Sequence, residues 1–543
     1  MELAIIIILT LTAIIIGITI DKIKSQKKLK ARISSTFGKT PQGSLPEIES
    51  IKRYTKFIIS NDAFIDDITW NDLDMDIIFE RINNCQSSVG EEYLYSILHQ
   101  PLYEQPPLQE RERLIKFFDE HPTERLAAQI ALAKLGKFNH NGLARLIFNA
   151  KANLLPRAWV YDVLALMPLI SGISIIFTPF GLIALLVSIS INAIVQIRTM
   201  RRIDYEIPSI GYFASMMKCC KRLFKIDELA SMPIMAKMKK SHGAFKKIMT
   251  KAPTRSQAGA TEDITEMLWI YFSTVFLYDI RHYNKFMKVV IKNNESFHTL
   301  YKTVGEIETA ISVLSFRKSL PAFCIPAFHA QNTLDFEGIY HPLIQDPVTN
   351  TFHIKNNSLI TGSNASGKST FIKILAINGI LAQTIHTCTA HRFATRFSQV
   401  VTSMAMRDNL TSGESYFVVE VKSLRRIINL AKTQPCTCYI DEILRGTNTT
   451  ERVAASVAVL TFLSRCDCLC LAASHDIELT RLLADLYDNY NFSEQVTDGG
   501  VTFDYKLKTG PSTTRNAIKL LDVMGFDAEI IKQAQTLAAD RPS

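Results

Sequence analysis

Apolar positions along this chain fall into long runs and short ones. The first long run, residues 2–20, is an almost unbroken apolar series with Glu2 as its sole charge, enough to cross a bilayer as one helix. The second runs from Ala158 to Ile197 and is interrupted by Thr178-Pro179-Phe180-Gly181, a pattern that predicts a hairpin of two spanning helices. Short runs at Asn357–Thr361, Cys436–Ile440 and Cys468–Ala473 read as buried strands, and Phe371–Leu381 reads as an amphipathic helix. Met267–Tyr278 is also apolar, but it is too short to span and is expected to pack among the long helices.

Charge gives the long runs a direction. Lys22, Lys24, Lys27, Lys28, Lys30 and Arg32 follow the first run, so the chain should enter the cytoplasm after residue 20 and leave its N-terminus outside. Arg157 on one side of the hairpin and Arg198, Arg201 and Arg202 on the other bring both of its ends to the same side. The first run has no basic stretch before it and no small-residue cleavage site after it, so it reads as an anchor and not a secretory signal. Asp162 is tolerable near the interface, whereas Asn192 and several serines dilute the second half and would suit a buried hairpin of a soluble protein. The expectation is a multi-pass protein of the cytoplasmic (inner) membrane, in contact with the lipid bilayer.

Composition adds less. Ten cysteines in parts facing the cytoplasm should be reduced; Cys436, Cys438, Cys466, Cys468 and Cys470 lie on strand-like segments without zinc-site spacing and read as small core residues. The net charge of +9 is modest, although seven of the nineteen residues from Lys237 to Arg255 are basic and none is acidic. That stretch could meet DNA phosphates or anionic lipid, but a solvated helix face is the simpler reading. Gly38 to Pro46 is the best linker.

The chemistry concentrates in the C-terminal part. Gly362-Ser363-Asn364-Ala365-Ser366-Gly367-Lys368-Ser369 fits the phosphate-loop pattern G-x-x-x-x-G-K-[ST], continues into Thr370, and stands between an expected strand and an expected helix. There the glycines turn backbone N–H groups toward phosphates, Lys368 reaches the β/γ oxygens of ATP, and Ser369 can ligate Mg2+. The strand Cys436–Ile440 runs into Asp441-Glu442, where Asp441 would hold Mg2+ and Glu442 would polarise the attacking water. The third strand ends at Ser474-His475, a place from which His475 could sense the γ-phosphate.

These motifs resemble those of the MutS mismatch-repair ATPases. Asp441-Glu442-Ile443-Leu444-Arg445-Gly446-Thr447-Asn448-Thr449 is similar to the family's D-E-x-x-R-G-T-x-T, and Ala472 to Leu479 to its A-T-H-x-x-E-L. Asp408 to Phe417 with Glu420 resembles D-x-L-x-x-G-x-S-x-F-x-x-E, in which the counterpart of Ser415 reaches the partner subunit's nucleotide; the resemblance thus implies a homodimer with composite ATP sites. Asn83 to Gly90 resembles the opening of the family's core domain, Val304-Gly305-Glu306-Ile307-Glu308 its return helix, and Tyr340-His341-Pro342-Leu343-Ile344 the entry into the ATPase. Val348 stands near the place of the family's base-stacking aromatic, which leaves adenine selectivity open, and Phe118-Asp119-Glu120 lies on a helix and is not read as the family's mismatch wedge. The family's mismatch-reading domain has no counterpart ahead of the core motif, and no small nuclease domain is expected.

The resulting expectation is an α/β P-loop NTPase domain of the ABC/MutS type joined to an all-α core/lever domain and transmembrane helices. Its segments are a transmembrane helix (1–20), a basic juxtamembrane linker (21–73), the first part of the lever domain (74–157), a transmembrane hairpin (158–198), the second lever part (199–335) and the ATPase domain (336–543). The function implied is a Mg2+-dependent ATPase that closes a dimer on ATP and acts on DNA in a repair-related role. An ABC-type transport ATPase, or an ATP-gated membrane scaffold that binds no DNA, are the other classes open at this point.

Overall fold

The computed structural model describes residues 2–539 except 43–47, 60–63, 139–141, 153, 204–205, 250–263, 364–365, 405–415, 446, 498–499, 513–520 and 522–524. The N-terminal part is helical: α1 Glu2–Thr36, α2 Ile48–Ile58, α3 Asp67–Asp72, α4 Met75–Ile82, α5 Ser88–Leu98, α6 Gln105–Glu120, α7 Pro122–Leu135 and α8 Leu143–Phe148. Then follow α9 Ala158–Ser174, α10 Gly181–Ile203, α11 Ile207–Leu223, α12 Asp227–Ala230, α13 Pro233–Met249, α14 Ile264–Phe276, α15 Tyr278–Lys292 and α16 Asn294–Lys318.

The helical body forms where its two halves pack on each other. Asn83 ends α4, and the backbone N–H groups of Gln86 and Ser87 and the Ser87 hydroxyl all donate to the Glu308 carboxylate on α16. Burial nevertheless outweighs these donors and pushes Glu308 up to about 7. Gly305 lets α16 approach α5 closely, since a Cβ there would meet the Tyr93 ring at 2.3 Å. The two motifs read from sequence as core opening and return helix therefore pack on one another. Within the expected linker 21–73, α2 buries Ile51 and Tyr54 against α5, and α3 docks on the C-terminal part, where Thr402 donates to Asp72 at 2.6 Å. Those segments are periodic enough to fold, but their apolar positions are too few to stand out against the charged flank.

The C-terminal part is the expected α/β layer. Strands β1 Ala327–Phe328, β2 Leu334–Ile339, β3 Asn350–Ile354 and β5 Arg392–Thr395 form a small sheet in the order β1-β5-β2-β3. A second sheet has β4 Ser358–Thr361 at its centre, in the order β10-β9-β4-β8-β7-β6, with β6 Gln399–Ser403, β7 Cys436–Asp441, β8 Cys468–Ser474, β9 Asp488–Thr497 and β10 Gly500–Thr509. Neighbours from β6 to β9 run parallel and β10 closes the edge antiparallel. Helices α17 Lys368–Thr384, α18 Tyr416–Ala431, α19 Thr449–Leu463 and α20 Glu478–Leu482 belong to this part, and α21 Ala528–Ala539 ends the described chain. The helical and α/β parts are bolted together at Arg317 on α16. It donates to Glu112 of α6 at 2.8 and 2.6 Å, to the Thr387 hydroxyl at 2.9 Å and to the His386 carbonyl at 2.9 Å.

The apolar runs take a form that the sequence only partly anticipates. The first continues into its basic flank as one 35-residue helix, and the far end of α1 is docked, with Ile33 buried and Phe37 beneath Arg125. In the second, α9 stops at Ser174 and α10 extends to Ile203. Among the described residues, Gly181–Ile203 alone is long and apolar enough to cross a membrane, while the 17 residues of α9 rise about 25 Å, short of a hydrocarbon core of about 30 Å. Met267–Tyr278 is not packed away among the lever helices: α14 lies against α9 and α10, and Leu268 to Phe272 are exposed. Hydrophobicity in a short window does not distinguish a helix buried by protein from one left bare.

A candidate nucleotide-binding and hydrolysis site

Parallel pairing brings the ends of three strands level. Thr361 of β4 lies opposite Ser474 of β8, and Asp441 of β7 opposite Ala473. The phosphate loop, the acidic pair and His475 therefore converge on one edge of the sheet, at the carboxyl ends of its strands. Gly367 caps α17 at φ 100°, a conformation that disfavours any side chain, and Gly362 has φ 145° with a virtual Cβ only 2.5 Å from the Phe492 carbonyl, which leaves no room for one. Asn364 and Ala365 lie outside the described residues, as do the signature 408–415 with Ser415, and Gly446.

Lys368 is buried and holds the loop itself, donating to the Gly362 carbonyl at 2.6 Å and the Ser363 carbonyl at 2.7 Å. Burial pushes its ammonium down to about 8, while Asp441, Glu442 and Glu494 pull it back up. Glu442 stands at φ 60°, a strained position for a glutamate, and its carboxylate is turned to His475 and Arg445. His475 Nε2 is 2.8 Å from Glu442 Oε1, and Arg445 Nε is 3.1 Å from Oε2. The hydrogen bond with His475 is the main reason that Glu442 is held below the usual carboxylate range. The expected players thus occur together, with His475 also 3.5 Å from Lys368.

Several partners were not singled out from the sequence. Ser363 donates to Glu494 of β9, and Arg452 on α19 grips Asp476 with two bonds of 2.8 and 2.6 Å. The ring of Tyr505 covers Gly367, its Cδ1 3.0 Å from where a Cβ would stand. Tyr505 is half exposed and has φ 51°, set by an irregularity in the β9–β10 register between Phe503 and Leu507. Its distance along the chain from the phosphate loop hides it from motif reading. Val348 is exposed, and the loop carrying it is pinned to the same irregularity, because Asn350 donates to the Tyr505 carbonyl at 3.1 Å.

The residues fit Mg2+. Ser369 lies beside Asp441 and lowers its pKa, which burial nevertheless raises, and Asp441 Oδ1 is buried without a hydrogen-bond partner among the described residues. A buried, unmatched carboxylate oxygen beside a hydroxyl is a donor set for a hard cation with water and phosphate oxygens. No such case holds for the cysteines: Cys436, Cys438 and Cys468 come together with sulfurs within 4.8 Å, but inside the apolar core beneath α18 and α19. Spacing within each strand could not reveal that clustering, which arises from pairing between β7 and β8.

Lys368 gives this site a signed pH dependence. The free ammonium loses its proton near pH 8, whereas phosphates beside it would hold the proton on, so ATP binding should take up a proton above that pH. Affinity for ATP is expected to fall by up to about tenfold per pH unit above about pH 8. Calorimetric titration in two buffers of different ionisation heat measures the uptake; a flat affinity with no proton exchange would contradict it.

Residues 358–540 match the family model for MutS domain V. Curated relatives include proteins named DNA mismatch repair protein MutS from Geobacillus thermodenitrificans, 28% identical over 254 residues, and Pseudothermotoga lettingae, 30% identical over 238 residues. These alignments take in 44% and 41% of this chain but only 28% and 29% of the relatives. A relative of the same name from Natronomonas pharaonis is 27% identical over 277 residues, 48% of this chain and 32% of its own length. The chain thus spans about three tenths of the length of the curated relatives it matches.

Proposed function

We propose that this member of the MutS family is a membrane-held, Mg2+-dependent ATPase whose nucleotide cycle drives its helical levers. The observation that carries this reading is the convergence of Lys368, Asp441, Glu442 and His475 at one sheet edge. Lys368 exchanges its loop carbonyls for phosphate oxygens. Asp441 and Ser369 would hold Mg2+, which would supply charge neutralisation of the phosphates. Glu442, ionised and oriented by His475 and Arg445, aligns the water and takes its proton, and Tyr505 offers a face for the base. Arg317 connects that site to the levers.

Dimer closure follows from the family resemblance around Ser415, which would complete the partner's site. DNA is the proposed object of the levers, as the names of the relatives suggest. The test is ATP hydrolysis by the full chain in lipid vesicles with duplex, branched and mismatched DNA. Stimulation by any of them supports the reading, and indifference to all three leaves an ATP-gated membrane scaffold.

Membrane attachment is supported by which residues face outward. On α10 the polar stripe Ser188, Asn192, Gln196 and Thr199 is buried, while Leu182, Ile183, Leu186, Val187, Ile191, Ile194 and Ile197 are exposed. A helix in water would be turned the other way; one in lipid is built like this. The proposed topology has residues 21–157 and 199–543 on the cytoplasmic side and only the N-terminus and the Thr178–Gly181 turn outside, the exposed turn residues Ile175, Ile176 and Phe177 extending α9 toward the outer face. In a cysteine-free background, a thiol at Thr178 is expected to label from outside intact cells and one at Ser35 to stay protected. Labelling of Ser35, or release of the protein by alkaline carbonate, would return the hairpin to a water-soluble fold.

A further inference from the structure

Resting on the membrane reading of the hairpin, we infer that α14 is a third membrane-embedded element, one that enters the bilayer without crossing it and couples the return lever to the hairpin. Five consecutive residues, Leu268, Trp269, Ile270, Tyr271 and Phe272, are 41–63% exposed. Five consecutive helical positions sweep about 400° around the axis, so the exposure runs through more than a full turn. Water would tolerate scattered apolar side chains but not a full turn of Leu, Trp, Ile, Tyr and Phe continuous with the exposed faces of α9 and α10. Thirteen residues rise about 20 Å, too little to span. Trp269, Tyr271 and Tyr278 supply rings of the type that settle at a lipid–water boundary.

The attachment is polar and internal. Asn192, fully buried in α10, donates from one amide nitrogen to the Leu164 carbonyl of α9 at 3.0 Å and to the Val275 carbonyl of α14 at 2.7 Å. Within lipid such a side chain has no water to turn to, so it holds three helices together. At the C-terminal end of α14, buried Ser273 donates to Asp279 of α15 at 2.5 Å, and Arg281 of α15 reaches Asp162 of α9 at 2.7 Å. Helix α15 leads directly into α16 and hence to Arg317. Movement of the ATPase would therefore pull on the hairpin through α14 and α15.

Tryptophan emission of the full chain in vesicles containing brominated lipid tests the inference, because the chain has only Trp70, Trp159 and Trp269, and Trp70 is buried in the lever core. With Trp159→Phe, bromolipid is expected to quench the emission of Trp269; with Trp269→Phe it should quench Trp159; with both replaced it should quench nothing. Quenching of Trp159 but not Trp269 overturns the embedding of α14 and leaves the anchored hairpin standing. Quenching of neither removes the membrane reading itself. Asn192→Leu is expected to lose quenching of Trp269 while that of Trp159 persists, and unchanged quenching of both would remove the clamp.

Discussion

Glu442→Gln is expected to keep ATP bound and lose turnover by about 10²–10⁴-fold, the range for removal of a general base, whereas Lys368→Ala loses binding itself. The difference follows from what each side chain touches. Lys368 organises the loop, bonding the Gly362 and Ser363 carbonyls, so that its removal disturbs the phosphate cradle before any chemistry begins. Glu442 touches no loop backbone; its carboxylate meets His475 and Arg445, and is kept ionised chiefly by the former. Glutamine retains the shape and the hydrogen-bonding oxygen but cannot accept the proton from water. Nucleotide retention on filters, read beside steady-state hydrolysis, separates the two variants. Equal loss of binding in both would leave Glu442 a structural residue.

The second large effect is mechanical. Arg317→Met strands the Glu112 carboxylate in a largely buried position and breaks the bonds to Thr387 and His386, so a cost of about 3–5 kcal/mol is expected. Burial raises the Glu112 pKa, but the hydrogen bonds from Arg317 and His386 outweigh it and hold the group at about 2. A depressed carboxylate stabilises the fold above its unfolded value near 4.5 and loses that contribution as pH falls toward 2. The gap between wild type and Arg317→Met should therefore be full at neutral pH and shrink in acid. Denaturant unfolding of the detergent-solubilised chain measures it. Glu112→Leu combined with Arg317→Met should recover part of the loss, because no charge is then stranded; simple additivity of the two would rule out a coupled pair.

Motif spacing brought out the candidate nucleotide site because that chemistry depends on strand ends, and strand ends are marked locally. Gly362, Gly367, Lys368, Asp441, Glu442 and His475 each follow an apolar run that could be recognised on its own, and pairing then set them level. Glu494, Arg452 and Tyr505 were invisible for the opposite reason: each reaches the site from an element whose local pattern says nothing about it. The same limit explains α14. Hydropathy registers how apolar a segment is, but the burial of Asn192 and the bareness of Leu268 to Phe272 exist only once helices distant in sequence lie side by side.

The ends that flank the hairpin are held independently of it. Helix α8 leads into it and α11 leads out, and these two are already neighbours: Ser209 accepts from the Gly142 backbone at 3.0 Å, and Arg145 lies 3.5 Å from Glu206. Entrance and exit are thus fastened by the helical body and not by the hairpin. A chain without residues 158–203 could be closed by a short loop, the situation in which inserted segments are gained or lost at little cost to the host. The hairpin is thus a detachable appendage of the helical body, whose base stays closed whether or not the hairpin is in place.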